Sequence, residues 1–355
     1  MTPGRDLPFA QRVIDWQRRH GRHDLPWQRT QDPYRLWVSE IMLQQTQVTA
    51  VIPYFTRFMA SFPEVGALAA AHEDDVLAHW SGLGYYARAR NLHRAAQVLV
   101  EQHGGRFPRS AAALAELPGV GRSTAAAIAA FAFGERAAIL DGNVKRVLAR
   151  WLGVGGWPGD GKVQSGLWEA AERLLPDQDI EAYTQGLMDL GSQVCARTSP
   201  RCEACPVASD CVALREGLTD RLPAARPAKA LPQRETVLLV LARGGEVMLE
   251  KRPPTGIWGG LWSFPELALD DDPQRVSEQR YGAAIAPIEA LEPIEHGFTH
   301  FRLRLQPWLA PVTALTPQAN APGRLWLPVS DAIGAAVPAP IRKLLRSLEG
   351  FDRKP

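Results

Sequence analysis

Cys195, Cys202, Cys205 and Cys211 are the only cysteines in a chain of 355 residues. Four thiols confined to so short a stretch oblige it to fold around whatever they bind. Their spacing, C-x6-C-x2-C-x5-C, contains a single CxxC knuckle. Structural zinc sites usually pair two short knuckles or complete the set with His, and no His lies nearby. A [4Fe–4S] cluster takes four Cys ligands and tolerates uneven spacing, so it suits this loop better than zinc. A disulfide pair ranks third, because the N-terminus shows no signal peptide and cytosolic thiols stay reduced. Nothing in the loop suggests an open coordination position, so the bound group is expected to staple the chain.

The texture on the two sides of this loop differs. From Phe9 to about Ala213 apolar residues recur with helical period between short loops. Pro33, Pro63, Pro108, Pro118 and Pro176 stand where helices should start. Arg221–Pro232 then carries prolines and small residues with no apolar period, which reads as a semi-rigid linker. Beyond it Thr236–Ala242 is a buried-strand run, Gly244-Gly245 offers a hairpin turn, and Val247–Glu250 returns. Phe301, Leu303 and Leu305 alternate with Arg302, Arg304 and Gln306, and Pro340–Leu348 closes the chain as a helix. The expectation is multidomain: an all-α domain over residues 1–220 that includes the 195–211 cysteine loop, a linker over 221–234, and a smaller α+β domain over 235–350. No apolar run approaches the ~18 residues that a membrane span needs. Net charge is only +2, so affinity for nucleic acid must come from local placement of charge rather than a global field.

Three segments carry chemistry. Leu117-Pro118-Gly119-Val120-Gly121 separates the helical stretches Ser110–Glu116 and Ser123–Phe133. Two glycines allow a tight turn with exposed N–H groups, and the helix that follows offers its N-terminus to a phosphate. This is the build of a helix-hairpin-helix, which grips DNA without reading bases; a purely structural Pro-Gly turn accounts for the glycines equally well. Asp141, in Leu140-Asp141-Gly142-Asn143-Val144-Lys145-Arg146, reads either as the cap of the next helix or as a carboxylate beside a DNA-gripping turn. Lys145 and Arg146 suit phosphate contacts or a solvated face. Glu40 shares a helical face with Leu36, Trp37 and Leu43. Desolvation there raises its pKa and keeps a proton available near neutral pH, as a general acid requires. One carboxylic acid and one carboxylate are the parts needed to break a glycosidic bond. Gly82–Asn91 interleaves glycines, tyrosines and arginines, suiting a wedge that fills the gap left by an extruded base while Arg88 holds a flanking phosphate.

From about Leu25 to Ala213, and more loosely beyond, the chain resembles the helix-hairpin-helix DNA glycosylases and, within them, the MutY-type adenine glycosylases. The matching elements are Ser39–Gln47, Gly82–Tyr86, Leu117–Gly121, Leu140–Val144 and the four-cysteine loop. The resemblance implies excision of adenine mispaired with 8-oxoguanine or guanine in double-stranded DNA, by a monomer carrying a [4Fe–4S] cluster. It implies that Glu40 protonates the flipped adenine on its imidazole-ring nitrogen. Asp141 would stabilise or trap the sugar cation, and Asn143 would help hold Glu40 and water. Gln45, Thr46, Leu83 and Tyr85 would surround the opposing base, with Gly119, Gly121, Ser123 and Lys145 on the DNA backbone. A bacterial, cytoplasmic, nucleoid-associated location follows from the same likeness.

The endonuclease III type shares the fold and the cluster but carries a nucleophilic Lys where this chain has Ser123. Without that amine no efficient Schiff base forms, so strand cleavage should be weak or absent, with Lys145 left as an amine able to form one. The C-terminal part resembles a Nudix domain but lacks the Glu-rich helix that would hold Mg²⁺, so pyrophosphate hydrolysis is not expected. The likeness assigns 8-oxoguanine recognition to His296-Gly297-Phe298-Thr299-His300. Thr299 stands where that family usually has Ser and keeps the hydroxyl on a stiffer side chain. Read without the family, His296 and His300 are packed strand residues. A non-catalytic DNA-binding protein on the same scaffold is the rival reading, and retention of both Glu40 and Asp141 argues against it.

Overall fold

A computed structural model of the protein describes residues 8–227 and 230–349. The chain forms two compact units. The first takes the residues up to Ala70 and those from Asn91 to the linker; the second takes Ala71–Arg90 and the chain beyond the linker.

The first unit is helical. Asp32 accepts the Tyr34 N–H at 3.0 Å and Pro33 occupies the first helical position, which starts the Pro33–Leu43 helix. The other four prolines singled out above lie in the loops just ahead of the next helix rather than at its first residue. The Phe9–His20 helix packs on the Ile180–Asp189 helix, and its Phe9, Val13 and Ile14 share one buried cluster with Leu187 and Leu190. Burying side chains of this size stabilises the fold by about 1.5–3 kcal/mol each. Arg122–Phe133 buries the run from Ala125 to Ala130, all Ala but Ile128, and the alanines let neighbouring helices approach closely. The stretch expected as a helix over Ser110–Glu116 is shorter, Ala111–Leu114, with Ser110 capping the Ala113 N–H.

In the second unit the strands are β1 (Gln233–Arg243), β2 (Glu246–Lys251), β3 (Trp262–Ser263), β4 (Glu266–Leu267), β5 (Ala283–Ile285), β6 (Glu289–Ala290), β7 (Ile294–Gly297), β8 (Arg302–Leu315) and β9 (Arg324–Pro328). They form one mixed sheet whose spine is β3-β2-β1-β8-β5, with β4, β6, β7 and β9 attached. β1 runs parallel to β8 from Gln233↔Arg302 to Ala242↔Pro311. Val237–Leu241 is buried throughout, as a strand covered on both faces requires. Gly244 (φ 56°) and Gly245 (φ 81°) make the turn into β2. β1 starts at Gln233, inside the stretch read as linker, because its ladder with Arg302 and Leu303 extends that far. The Pro273–Tyr281 helix packs beside β5 and carries a single Glu, Glu278. Ala339–Ser347 closes the unit with Ile341, Leu344 and Leu345 buried. No helix among the described residues is long and apolar enough to cross a membrane.

Candidate active site

Glu40 sits in the last turn of the Pro33–Leu43 helix, half-buried at the wall of a cavity of about 540 Å³. Leu36, one turn earlier, lines the same cavity with Trp27, Phe131 and Ile180, while Arg22, His23, Gln28, Glu181 and Gln185 supply polar groups. Desolvation, and secondarily the charge of Asp141, push the Glu40 pKa up to about 8. No hydrogen bond contributes to that shift, so Glu40 holds a transferable proton at neutral pH.

Asp141 is the N-cap of the Gly142–Leu152 helix: its Oδ1 accepts the Val144 N–H at 2.8 Å. Burial raises its pKa, and hydrogen bonds from the Val144 and Asn143 N–H groups oppose the rise. The cap and the functional reading are therefore compatible, since the helix end that the carboxylate closes also supplies donors to its charged form. The Asn143 side chain turns to Asp141 (3.5 Å) and to Arg146, whose guanidinium donates to its Oδ1 at 2.8 Å. No hydrogen bond joins Asn143 to Glu40 among the described residues. Arg146, read above as a phosphate contact or a solvated residue, instead points inward and donates to the carbonyls of Cys195 (2.8 Å) and Gly191 (2.6 Å). Lys145 reaches Gln164 Oε1 at 3.2 Å.

Gly191 lies in a π-helical turn, Leu190–Val194, a backbone form that recurs at functional sites. A Cβ there would fall 2.5 Å from Asn143 Cβ, so the close approach of this turn to the Asp141 helix requires glycine. Sequence reading passed over Gly191, and also over fully buried Asp189, which binds Arg22 (Nε–Oδ1 2.7 Å) and Gln185 (2.9 Å). A lone acid between Met188 and Leu190 is the signal that could have found Asp189.

At the hairpin, Gly119 takes φ 78°, and a Cβ on it would meet Asn91 Cβ at 2.7 Å. Gly121 has ordinary φ and is the N-cap of the Arg122–Phe133 helix. The Ser123 hydroxyl accepts the Leu140 N–H at 2.9 Å, directly before Asp141. Gln44 donates to Thr124 Oγ1 at 3.2 Å, which ties the exposed Gln45 (φ 58°) and half-buried Thr46 to the same helix start. In the second unit Tyr85 is 48% exposed with φ 50°, whereas Leu83 is buried. Arg88, expected on a phosphate, is buried and donates to the carbonyls of Leu83 (3.4 Å) and Gly84 (3.1 Å); it builds the loop. Non-glycine residues at positive φ are costly and cluster at functional sites, and Gln45 and Tyr85 fit that pattern.

All four cysteines line one largely apolar cavity with Val147, Val194, Val207 and Leu214. No disulfide joins them, and Arg150 donates to Cys195 Sγ at 3.4 Å. No group of three or more His, Cys, Asp or Glu side chains among the described residues is spaced to hold a single metal ion. The His296–His300 segment leaves β7 and turns back toward β8, with the Phe298 N–H donating to the Phe301 carbonyl at 2.9 Å. Phe298 stacks on Phe301 (4.4 Å between centroids) and meets His296 edge-on (4.7 Å). Thr299 and His300 are exposed, with Thr299 Oγ1 3.3 Å from His300 Nδ1.

Residues 38–173 match the HhH-GPD superfamily of base excision DNA repair proteins, and residues 236–347 match the NUDIX domain. The chain is 34% identical over 343 residues to an adenine DNA glycosylase of Buchnera aphidicola, covering 96% of this chain and 97% of that one. It is 33% identical over 405 residues to the human adenine DNA glycosylase, covering 96% of this chain and 74% of the human protein. Among solved structures, a thermostable thymine-DNA glycosylase superposes with a TM-score of 0.53 at 30% identity, over 59% of this chain and 95% of that one. An endonuclease III–DNA complex shares the fold at a TM-score of 0.51 and 22% identity, over 59% and 94% of the two chains.

Proposed function

The chain belongs to the adenine DNA glycosylases, enzymes of base excision repair that hydrolyse an N-glycosidic bond, and from that premise we propose how its residues share the work and which mispair it serves. Adenine opposite 8-oxoguanine or guanine in duplex DNA is extruded into the cavity beside Glu40. The Glu40 proton goes to the imidazole ring of the base as the bond to the sugar breaks, and the bonding electrons leave with the purine. The Asp141 carboxylate stabilises the oxocarbenium ion until water adds to it and its spare proton returns to Glu40. The observation that carries this reading is the pairing itself: a carboxyl raised to about 8 in the cavity wall, coupled to a second carboxyl that a helix terminus holds by hydrogen bonds.

The Leu117–Gly121 hairpin grips the DNA backbone through N–H groups at the head of the Arg122–Phe133 helix. Ser123 supplies no amine, so the enzyme is monofunctional. Gln45, Thr46, Leu83 and Tyr85 meet the opposing base, and His296, Phe298, Thr299 and His300 recognise 8-oxoguanine. Cys195, Cys202, Cys205 and Cys211 hold a [4Fe–4S] cluster. All four thiols line one largely apolar cavity, which supports a group that takes four Cys ligands. Arg146 and Arg150 tie the loop that would carry the cluster to the Asp141 helix by donating to the Cys195 carbonyl and to Cys195 Sγ, and the protein acts as a monomer.

Single-turnover base release tests the reading on duplexes holding 8-oxoguanine:A, G:A or an oxidised pyrimidine. Adenine release with strand breaks only after alkali is expected. Breaks without alkali at the oxidised pyrimidine would replace it with an endonuclease III-type activity. Tight binding with no release from any duplex would reduce the protein to a DNA-binding module.

A further inference from the structure

The second unit contains a loop, Pro253–Leu261, that touches two groups distant in sequence. On one side the Arg90 guanidinium donates to the Gly259 carbonyl. A Cβ on Gly260, which takes φ 76°, would lie 3.3 Å from Glu73 Oε1 and 3.7 Å from Arg90 Cδ. Lys251 pairs with Asp74 at 2.7 Å, and Ser81 Oγ donates to the Val337 carbonyl at 2.7 Å in a buried contact. These ties seat the segment that carries Leu83 and Tyr85 against the sheet unit. On the other side Trp258 lies 5.6 Å from the His296 ring and 5.7 Å from the Phe298 ring, centroid to centroid.

The loop is stiff. The Gly260 N–H donates to the Pro253 carbonyl at 3.0 Å, the Arg252 N–H to Leu261 at 2.9 Å, and Arg252 Nε to Ile257 at 2.7 Å. Arg252 is itself fixed by an ion pair with Glu266. A Cβ on Gly259 would strike the Pro254 carbonyl oxygen at 2.6 Å, so the chain is folded tightly on itself. Trp258 takes φ 53° with only 8% of its surface exposed. A bulky residue in left-handed backbone is strained and persists only where its surroundings fix it. Here the fixed element is the one between Arg90 and the His296–Phe298 turn.

We infer that Pro253–Leu261 is a bracket coupling the Leu83–Tyr85 loop to the His296–His300 turn, with Arg90 and Trp258 as its positioning residues. The inference rests on the reading that both groups meet the base opposite the adenine. Neither Arg90 nor Trp258 needs to touch that base. They hold the two readers in one register, so that 8-oxoguanine is sensed by both together rather than by each alone.

The test is single-turnover excision on 8-oxoguanine:A and G:A duplexes, titrated with enzyme to separate affinity from maximal rate. Arg90→Met and Trp258→Leu are each expected to lower the preference for 8-oxoguanine:A by about tenfold, the scale set by losing one charged hydrogen bond. The maximal rate on G:A, set by Glu40 and Asp141, stays within about twofold of wild type. Arg90→Lys and Trp258→Phe restore the preference, and the double variant is no worse than the worse single one. Should Trp258→Leu fail to fold, Lys251→Met is read in its place beside Arg90→Met. Unchanged preference in the variants, or losses that add independently, overturns the bracket alone. A wild-type enzyme with no preference between the two duplexes overturns the recognition reading beneath it, and the bracket with it.

Discussion

Raising the pH through 8 is expected to shut down adenine release, because the proton on Glu40 is then lost. With its pKa pushed up to about 8, the carboxyl is about 90% protonated at pH 7. At an ordinary value of 4.5 it would be about 0.3% protonated, so the site raises the acid form about 300-fold, or about 3 kcal/mol at 1.36 kcal/mol per pH unit. Above pH 8 the single-turnover rate should fall tenfold per unit. A second limb lies on the acid side, since Asp141 must be ionised and burial raises its pKa above the usual carboxylate range. Both limbs belong to the coupled pair rather than to either residue. The assay is excision from an 8-oxoguanine:A duplex with enzyme in excess between pH 5 and 9.5, read after an alkali quench. Carboxyl ¹³C shifts of labelled Glu in the Asp141→Asn variant should show the Glu40 pKa lowered, because one source of its rise is gone. A rate that stays level from pH 7 to 9.5 would refute the reasoning. Stability follows the same titration. A folded pKa above the unfolded one gives stability that is present below about 4.5 and lost as pH rises through about 8. Glu40→Gln should therefore melt with the wild type near pH 4.5 and above it at pH 9.

Glu40→Gln and Asp141→Asn should each lower excision by at least 10²-fold while duplex binding persists in gel-shift assays, the scale of a lost general acid or charge stabiliser; normal turnover in either sinks the mechanism. Arg146→Met strips donors from the Cys195 and Gly191 carbonyls and from Asn143, at about 1–3 kcal/mol for each buried group left unpaired. Melting temperature, iron content and excision rate should fall together. Ser123→Ala removes the acceptor of the Leu140 N–H; a loss of about 1–2 kcal/mol by denaturant titration and a slower rate are expected, and an unchanged rate would detach Ser123 from the placement of Asp141. Cys205→Ser should lose the visible absorbance of an iron–sulfur protein and iron by elemental analysis; retention of both would remove Cys205 from the ligand set.

Much of this site is legible in the order of residues because its chemistry is local. Asp141 closes a helix whose N–H groups lie a few residues ahead. Glu40 shares its face with Leu36 through the helical period alone. The cysteines are adjacent in sequence, and the β1–β2 turn is dictated by two glycines. The same locality misled where a side chain had two directions open to it. Arg88 read as a phosphate contact, and Arg146 as a phosphate contact or part of a solvated face, yet each finds backbone carbonyls inside the fold. Gly191 and Asp189 went unread because their partners, Asn143 and Arg22, are far away along the chain.

Sequence alone therefore determined the parts: two carboxyls, a glycine hairpin, four thiols, and an α-rich stretch ahead of a β-rich one. Tertiary structure decided how they are held. It placed Glu40 in a cavity wall where desolvation and Asp141 raise its pKa, and it turned Asn143 toward Asp141 and Arg146. It also brought residues 71–90 onto the sheet unit rather than the helices that flank them in the chain. The physical reason is range. Capping, periodicity and turn chemistry act over a few residues, whereas desolvation, charge coupling and close backbone approach depend on neighbours that only the folded chain supplies.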